Sequence, residues 1–173
     1  MKRLGSLILL TVLFFSGTSF YYRNYSQGGY YIIIDKSDYE LTVYDASGWL
    51  VAYPVVFGNK NQGDKMYEGD RKTPDGTFTI VSKRVHEKWD RFLMLDYPTP
   101  ESYEKFNDRK NRGLIPSNAK IGGGVGIHGT WPHEDYAIDN YDNWTQGCIS
   151  MKNEHVEQVY KAMPVGTKVT IRP

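Results

Sequence analysis

From residue 30 onward, apolar and polar positions follow two rhythms. The first is the short β pattern. Residues 30–34 are aromatic and β-branched, and Tyr39-Glu40-Leu41-Thr42-Val43-Tyr44 alternates with a period of two, so each run predicts a strand. Asp45-Ala46-Ser47-Gly48 is a turn sequence, and 49–57 resumes the β pattern, which makes 39–57 a hairpin. A polar, glycine-containing loop covers 58–72. Thr73-Pro74-Asp75-Gly76 then has the residues of a type I turn. Further strands are predicted at 77–81, 91–95, 125–128 (behind Gly122-Gly123-Gly124) and 168–172. The second rhythm is helical. Thr99-Pro100-Glu101 supplies a cap and a first-turn proline for a helix to about residue 112, ended by Gly113. Val156, Val159, Tyr160 and Met163 recur at i, i+3, i+4 and i+7, predicting a second helix capped by Asn153 and stopped by Pro164. No repeat or low-complexity tract interrupts this pattern. The sum is one mostly β domain with a few helices over 30–173.

The first 22 residues follow neither rhythm. Lys2 and Arg3 precede a stretch, 4–22, that carries no charge, with small residues at 16–19. This is the layout of a secretory signal peptide, and it is close to the ~20 residues that span a bilayer. Tyr21 and Tyr22 suit a membrane interface. Cleaved signal and N-terminal membrane anchor are both open readings. Either one places the rest of the chain outside the cytoplasm, in the periplasm or cell envelope. No cysteine follows the apolar run, which excludes a lipidated N-terminus. Residues 23–29, RNYSQGG, read as a linker.

Composition narrows the partners. The chain has 173 residues, 24% charged and 40% hydrophobic, which fits one globular domain. The net charge is +1 with Lys and Arg scattered, so nucleic acid is excluded as a main partner, since phosphate binding needs a concentrated basic face. Aromatics are frequent, and 14 tyrosines can cover sheet faces or grip sugars and peptides.

Thr145-Gln146-Gly147-Cys148-Ile149-Ser150 holds the only cysteine. A lone cysteine is ordinarily a small buried hydrophobe. Outside the cytoplasm an unpaired thiol risks oxidation and mispairing, which favours a chemical use. A cysteine nucleophile needs a base, and a nearby histidine both supplies one and stabilises the thiolate, so a low-pKa cysteine is expected. Of His86, His128, His133 and His155, His128 is the best candidate, at the end of a predicted strand and between glycines in Gly126-Ile127-His128-Gly129-Thr130. His133 and His155 read as surface residues. The spacings of His128, His133 and Cys148 match no common zinc pattern, so no metal is expected. Residues 129–147 contain Glu134, Asp135, Asp139 and Asp142, no Lys or Arg, and the interleaved aromatics Trp131, Tyr136, Tyr141 and Trp144. They form either a solvated loop or a lid whose negative field draws in a cationic acceptor.

These motifs together resemble the YkuD-type L,D-transpeptidases, cysteine enzymes that cross-link peptidoglycan. The family pattern is His, Gly or Ser, Thr, a spacer of ~14–17 residues, then Ser or Thr, His, Gly, Cys. Here it is met by His128-Gly129-Thr130 and Thr145-Gln146-Gly147-Cys148. TPDGTFTI at 73–80 is similar to the family's Thr-Pro-x-Gly-x-Phe element. GDKMYEGDRKTPDG at 63–76 is similar to the branch that includes peptidoglycan amidases and hydrolases. The resemblance covers about 31–172. It implies a β-sandwich or barrel with a few helices, Cys148 as nucleophile and His128 as base. It also implies that the Gly129 carbonyl holds the imidazole and that the Gly147 and Cys148 amides line an oxyanion hole. Thr145, Gln146, Ser150 and Trp131 are then the expected substrate contacts. Two positions depart from the usual family pattern. Gln146 stands where His is usual, and Ser150 where Arg or Asn is frequent.

The implied reaction is peptidoglycan cross-linking through a cysteine thioester to a stem peptide, with no organic cofactor. The alternatives are an L,D-carboxypeptidase or amidase that uses water as acceptor, and a non-catalytic wall-binding module. Stem peptides are the implied partners and carbapenem-type β-lactams the implied inhibitors.

Overall fold

The computed structural model describes residues 29–173. The 1–22 segment and all of the linker except Gly29 lie outside the described residues. Eight strands close into a barrel in the order β1-β2-β3-β7-β6-β5-β4-β8. They are β1 (Tyr31–Asp35), β2 (Glu40–Asp45), β3 (Gly48–Val56), β4 (Gly76–His86), β5 (Asp90–Leu95), β6 (Gly126–His128), β7 (Ile149–Met151) and β8 (Lys168–Arg172). Helix α1 (Pro100–Asn111) follows β5, α2 (Tyr136–Asp139) follows β6, and α3 (Asn153–Ala162) follows β7. Among the described residues the fold is mostly β with three helices, as the sequence predicts.

The period-two pattern fills the barrel. Ile32 and Ile34 of β1, Leu41 and Val43 of β2, and Val169 and Ile171 of β8 all point inward and are buried. Helix α3 lays Val156, Val159 and Met163 on the same core. Two neighbouring pairs are parallel, β1 with β8 and β6 with β7, and the second carries the candidate site.

The structure departs from the sequence pattern in four places. Strand β4 runs to His86, five residues past its predicted end, paired with β5 as far as His86↔Asp90. Its Ser82-Lys83-Arg84 stretch shows no apolar alternation. Strand β7 and helix α2 are only three and four residues long, too short to show a period. Thr73-Pro74-Asp75 does not form a type I turn. The Asp75 amide donates to Asp64 Oδ1 at 2.8 Å, and its carboxylate meets the buried Lys36 Nζ at 2.5 Å. Asn153 does not cap α3. It is the first helical residue, and its N–H donates to Asp135 Oδ1 at 3.1 Å, a cap borrowed from another loop. Thr99 does cap α1, accepting from the Ser102 N–H at 3.2 Å.

Candidate active site

The parallel register sets Ile127 beside Ile149 and His128 beside Ser150. Cys148 immediately precedes β7, so alternation carries it to the same face as His128, two residues along. The residue between them on that face, Gly126, has no side chain. Its space is taken by Phe92, whose ring carbons lie 2.7 Å from where a Cβ on Gly126 would be.

His128 is 1% exposed. Its Nδ1 lies 2.7 Å from the Gly129 carbonyl oxygen. That bond makes Nδ1 the N–H donor and leaves Nε2 with the basic lone pair. Ser150 Oγ donates to the same carbonyl at 3.3 Å. Three aromatic rings enclose the imidazole. Trp89 stacks on it with centroids 4.6 Å apart, Phe92 stacks at 5.8 Å, and Trp144 presents an edge at 5.4 Å. Trp89 also accepts the Gly129 N–H on its own carbonyl at 3.0 Å. The β4–β5 turn thus grips both residues of the His-Gly pair.

Cys148 sits on a local turn tied by Thr145. The Thr145 hydroxyl donates to the Cys148 carbonyl at 2.8 Å and accepts the Gly147 N–H at 3.1 Å. Thr145 is buried here and acts as scaffolding for the turn. The Gly147 N–H is already bonded to it. Glycine is also required at 147 by the backbone. Its φ is +125°, and a Cβ there would sit 2.8 Å from the Lys72 carbonyl oxygen. Cys148 Sγ donates weakly to the Gly124 carbonyl at 3.5 Å.

Behind this turn lies Lys65, 6% exposed, its ammonium 3.7 Å from the same Cβ position. Asp70 Oδ1 holds it at 2.9 Å. Burial would raise Asp70, but Lys65 and the Met66 and Lys72 amides outweigh it and keep the carboxyl below its usual range. Arg71 reaches across to the Thr145 and Asn143 carbonyls, both at 3.2 Å, and fastens the 63–72 loop to the cysteine turn.

The remaining expected residues spread out. Gln146 is exposed beside the thiol. Ser150 is fully buried under the Gly129 carbonyl, where its hydroxyl supports the His128 backbone. Trp131 is partly exposed, edge-on to Trp89 at 6.3 Å, with Lys88 Nζ 5.4 Å from its ring centre. His133 is exposed, whereas His155 is half-buried against Tyr53, not a surface group. The acidic segment is less free than its charge implies. Asp135 accepts from Thr130 Oγ1 at 2.5 Å as well as from Asn153, and Asp139 pairs with Lys152 at 2.7 Å. Among the described residues no group of three His, Cys, Asp or Glu side chains gathers to hold a metal.

Burial sets the protonation states. It pushes His128 down to about 4, against the Gly129 hydrogen bond. It pushes the Cys148 thiol up, against the Gly126 amide and the Lys65 ammonium. Both shifts disfavour a thiolate–imidazolium pair. These directions favour an uncharged thiol and an uncharged imidazole at rest over the low-pKa cysteine that the residue types suggest. Trp89 and Lys65 were not singled out by sequence reasoning. Trp89 lies in a polar turn 39 residues before His128, and Lys65 reads as an ordinary loop charge. Replacing Trp89 by alanine is expected to admit water to the imidazole and raise His128 from about 4 toward its ordinary ~6.5. NMR titration of the ring protons reads this. An unmoved midpoint would mean that the indole is not what desolvates His128.

A family model for the L,D-transpeptidase catalytic domain, YkuD, matches residues 29–171. A curated relative, "Putative L,D-transpeptidase YqjB" of Bacillus subtilis (strain 168), is 26% identical over 148 residues, covering 83% of this chain and 72% of that one. The crystal structure of the helical cell shape determining protein Pgp2 from Campylobacter jejuni matches with a TM-score of 0.61 and 25% identity. The match covers 86% of this chain and 49% of that one, so the chain spans about half the length of that protein. L,D-transpeptidase 3 from Mycobacterium tuberculosis, in complex with a faropenem-derived adduct, shares the fold with a TM-score of 0.54 at 15% identity, over 84% of this chain and 61% of that one.

Proposed function

This chain belongs to the YkuD family of L,D-transpeptidase catalytic domains, and from that membership we propose that it is a peptidoglycan L,D-transpeptidase acting through a Cys148 thioester. The observation that carries the reading is the fixed tautomer of His128. Its Nδ1 is committed to Gly129, so the Nε2 lone pair is left as a base on the strand beside Cys148. Substrate binding brings a carbonyl to the sulfur. The Sγ–H proton passes to Nε2 as sulfur attacks the carbonyl between the third residue of a stem, a diamino acid, and the fourth, D-Ala. The imidazolium returns that proton to the leaving D-Ala nitrogen, and a thioester remains. An amine of a neighbouring stem then attacks, its proton passes to the thiolate through His128, and a cross-link and free thiol result. The developing oxyanion needs donors other than the Gly147 amide, and the Cys148 amide is the one adjacent to the sulfur. A β-lactam carbonyl is open to the same attack, so carbapenem-type compounds should acylate Cys148. The proposed place of action is the periplasm or cell envelope, where peptidoglycan lies.

A second reading, hydrolysis as a carboxypeptidase or amidase, draws support from the acidic segment. With Asp135 bonded internally and Asp139 paired to Lys152, that segment offers less field to attract an acceptor ammonium. Muropeptide profiles separate the two. Overproduction of the chain is expected to raise the share of cross-linked dimers. A fall in dimers with a rise in tripeptide stems would establish water as the acceptor.

A further inference from the structure

Away from Cys148, one row of side chains crosses four neighbouring strands. The register aligns Lys168 of β8 with Tyr31 of β1, Tyr31 with Tyr44 of β2, and Tyr44 with Trp49 of β3. Tyr31 and Tyr44 stack with centroids 5.0 Å apart and planes within 6°. Trp49 is 64% exposed and Tyr31 39%. Val165, also exposed, sits in the turn that leads into β8. Indole and phenol groups, apolar in body and polar at the tip, with a lysine at one end, are the side chains that settle at a membrane–water interface.

The row lies where the chain enters the barrel. Tyr31 belongs to it and opens β1. Two residues earlier, a Cβ on Gly29 would lie 3.9 Å from Ala46 Cβ in the β2–β3 turn, next to Trp49. Only the seven residues 23–29 separate this rim from the uncharged stretch 4–22. Seven residues reach at most roughly 25 Å. The Cys148 turn joins β3 at its other end, where Val56 pairs with Ser150, roughly 23 Å along the strand from Trp49.

We propose that Lys168, Tyr31, Tyr44 and Trp49 form a docking rim that seats the barrel in the interfacial layer of the bilayer from which its N-terminus emerges. The rim keeps the Cys148 turn off the lipid surface. The proposal rests on residues 1–22 acting as an uncleaved anchor, and adds to that anchor a lipid-facing surface of the folded barrel. The short tether favours lipid over the other occupants that suit aromatic side chains, a glycan strand or a second copy of the chain.

Tryptophan fluorescence isolates the rim. Of the four tryptophans, Trp89, Trp131 and Trp144 cluster around His128, and Trp49 stands apart. The full chain is reconstituted into phosphatidylethanolamine–phosphatidylglycerol vesicles, with and without bromine atoms near the headgroup end of the acyl chains. The expected result is flotation with the vesicles and bromine-dependent quenching. That quenching is lost in Trp49→Phe and kept in Trp131→Phe, and flotation is unchanged in both. A chain that floats but shows no Trp49-dependent quenching overturns the rim and leaves the anchor standing. A chain that does not float overturns both. If Trp49→Phe instead weakens pelleting with isolated sacculi, or abolishes a dimer in detergent, the row serves glycan or a second copy and the lipid assignment is wrong.

Discussion

Cys148→Ala is expected to abolish release of D-Ala from a tetrapeptide stem while leaving the barrel folded. Without the sulfur no thioester can form, and no other thiol exists in the chain to replace it. The structural cost is small. Cys148 Sγ donates only weakly, to the Gly124 carbonyl at 3.5 Å, and its turn is held by Thr145 and not by the thiol. A change on the order of 1 kcal/mol or less is expected. Thermal melting should therefore nearly coincide with wild type, and turnover should fall to background. Residual D-Ala release from a folded Cys148→Ala sample would show that the nucleophile lies elsewhere.

His128→Gln is expected to have two large effects. The amide cannot accept a proton near neutral pH, so turnover should fall by roughly 10²–10⁴-fold. The second effect is on stability against pH. In the unfolded chain the imidazole titrates at ~6.5, and in the fold at about 4. The depressed value means that protons bind the unfolded state preferentially between these two points. The stabilisation is complete above ~6.5 and is lost as pH falls toward 4. It amounts to roughly 3 kcal/mol. His128→Gln should remove that slope, so its melting temperature should vary less than wild type's across this window. The acid limb of kcat/KM in the wild type should lie near pH 4, because the base is deprotonated above it. An acid limb at ~6.5 would place the base outside the aromatic enclosure.

The parts of the fold that could be read from sequence are those with a long enough period. β1, β2, β3 and β8 are five or more residues long, and their predicted bounds agree with the observed ones within a residue or two. Helices α1 and α3 were readable from a proline start and an apolar stripe. Strand β7 was not, since three buried residues carry no rhythm, yet it is what brings Cys148 alongside His128. The glycines around His128 and Cys148 marked a close approach of backbones, but not its cause. Gly147 is fixed by the Lys72 carbonyl and by its own φ, both set by the fold. The turn role of Thr145 was recoverable, because a threonine two residues before a glycine can form a hydroxyl-bonded turn. Trp89 and Lys65 were not recoverable, because stacking and burial are tertiary facts that a turn sequence and a charged loop do not encode. The same holds for the protonation states. Residue types suggest a thiolate, whereas burial within the aromatic enclosure favours an uncharged pair.

The central claim is that Cys148 is a nucleophile activated at the moment of acylation. Intact-mass measurement of the full chain after incubation with a carbapenem at neutral pH tests it most directly. One adduct with the mass of the opened drug is expected. It should map to the peptide carrying Cys148, be absent in Cys148→Ala, and form far more slowly in His128→Gln. A folded wild-type chain that keeps its unmodified mass, or an adduct on any other residue, would contradict the account.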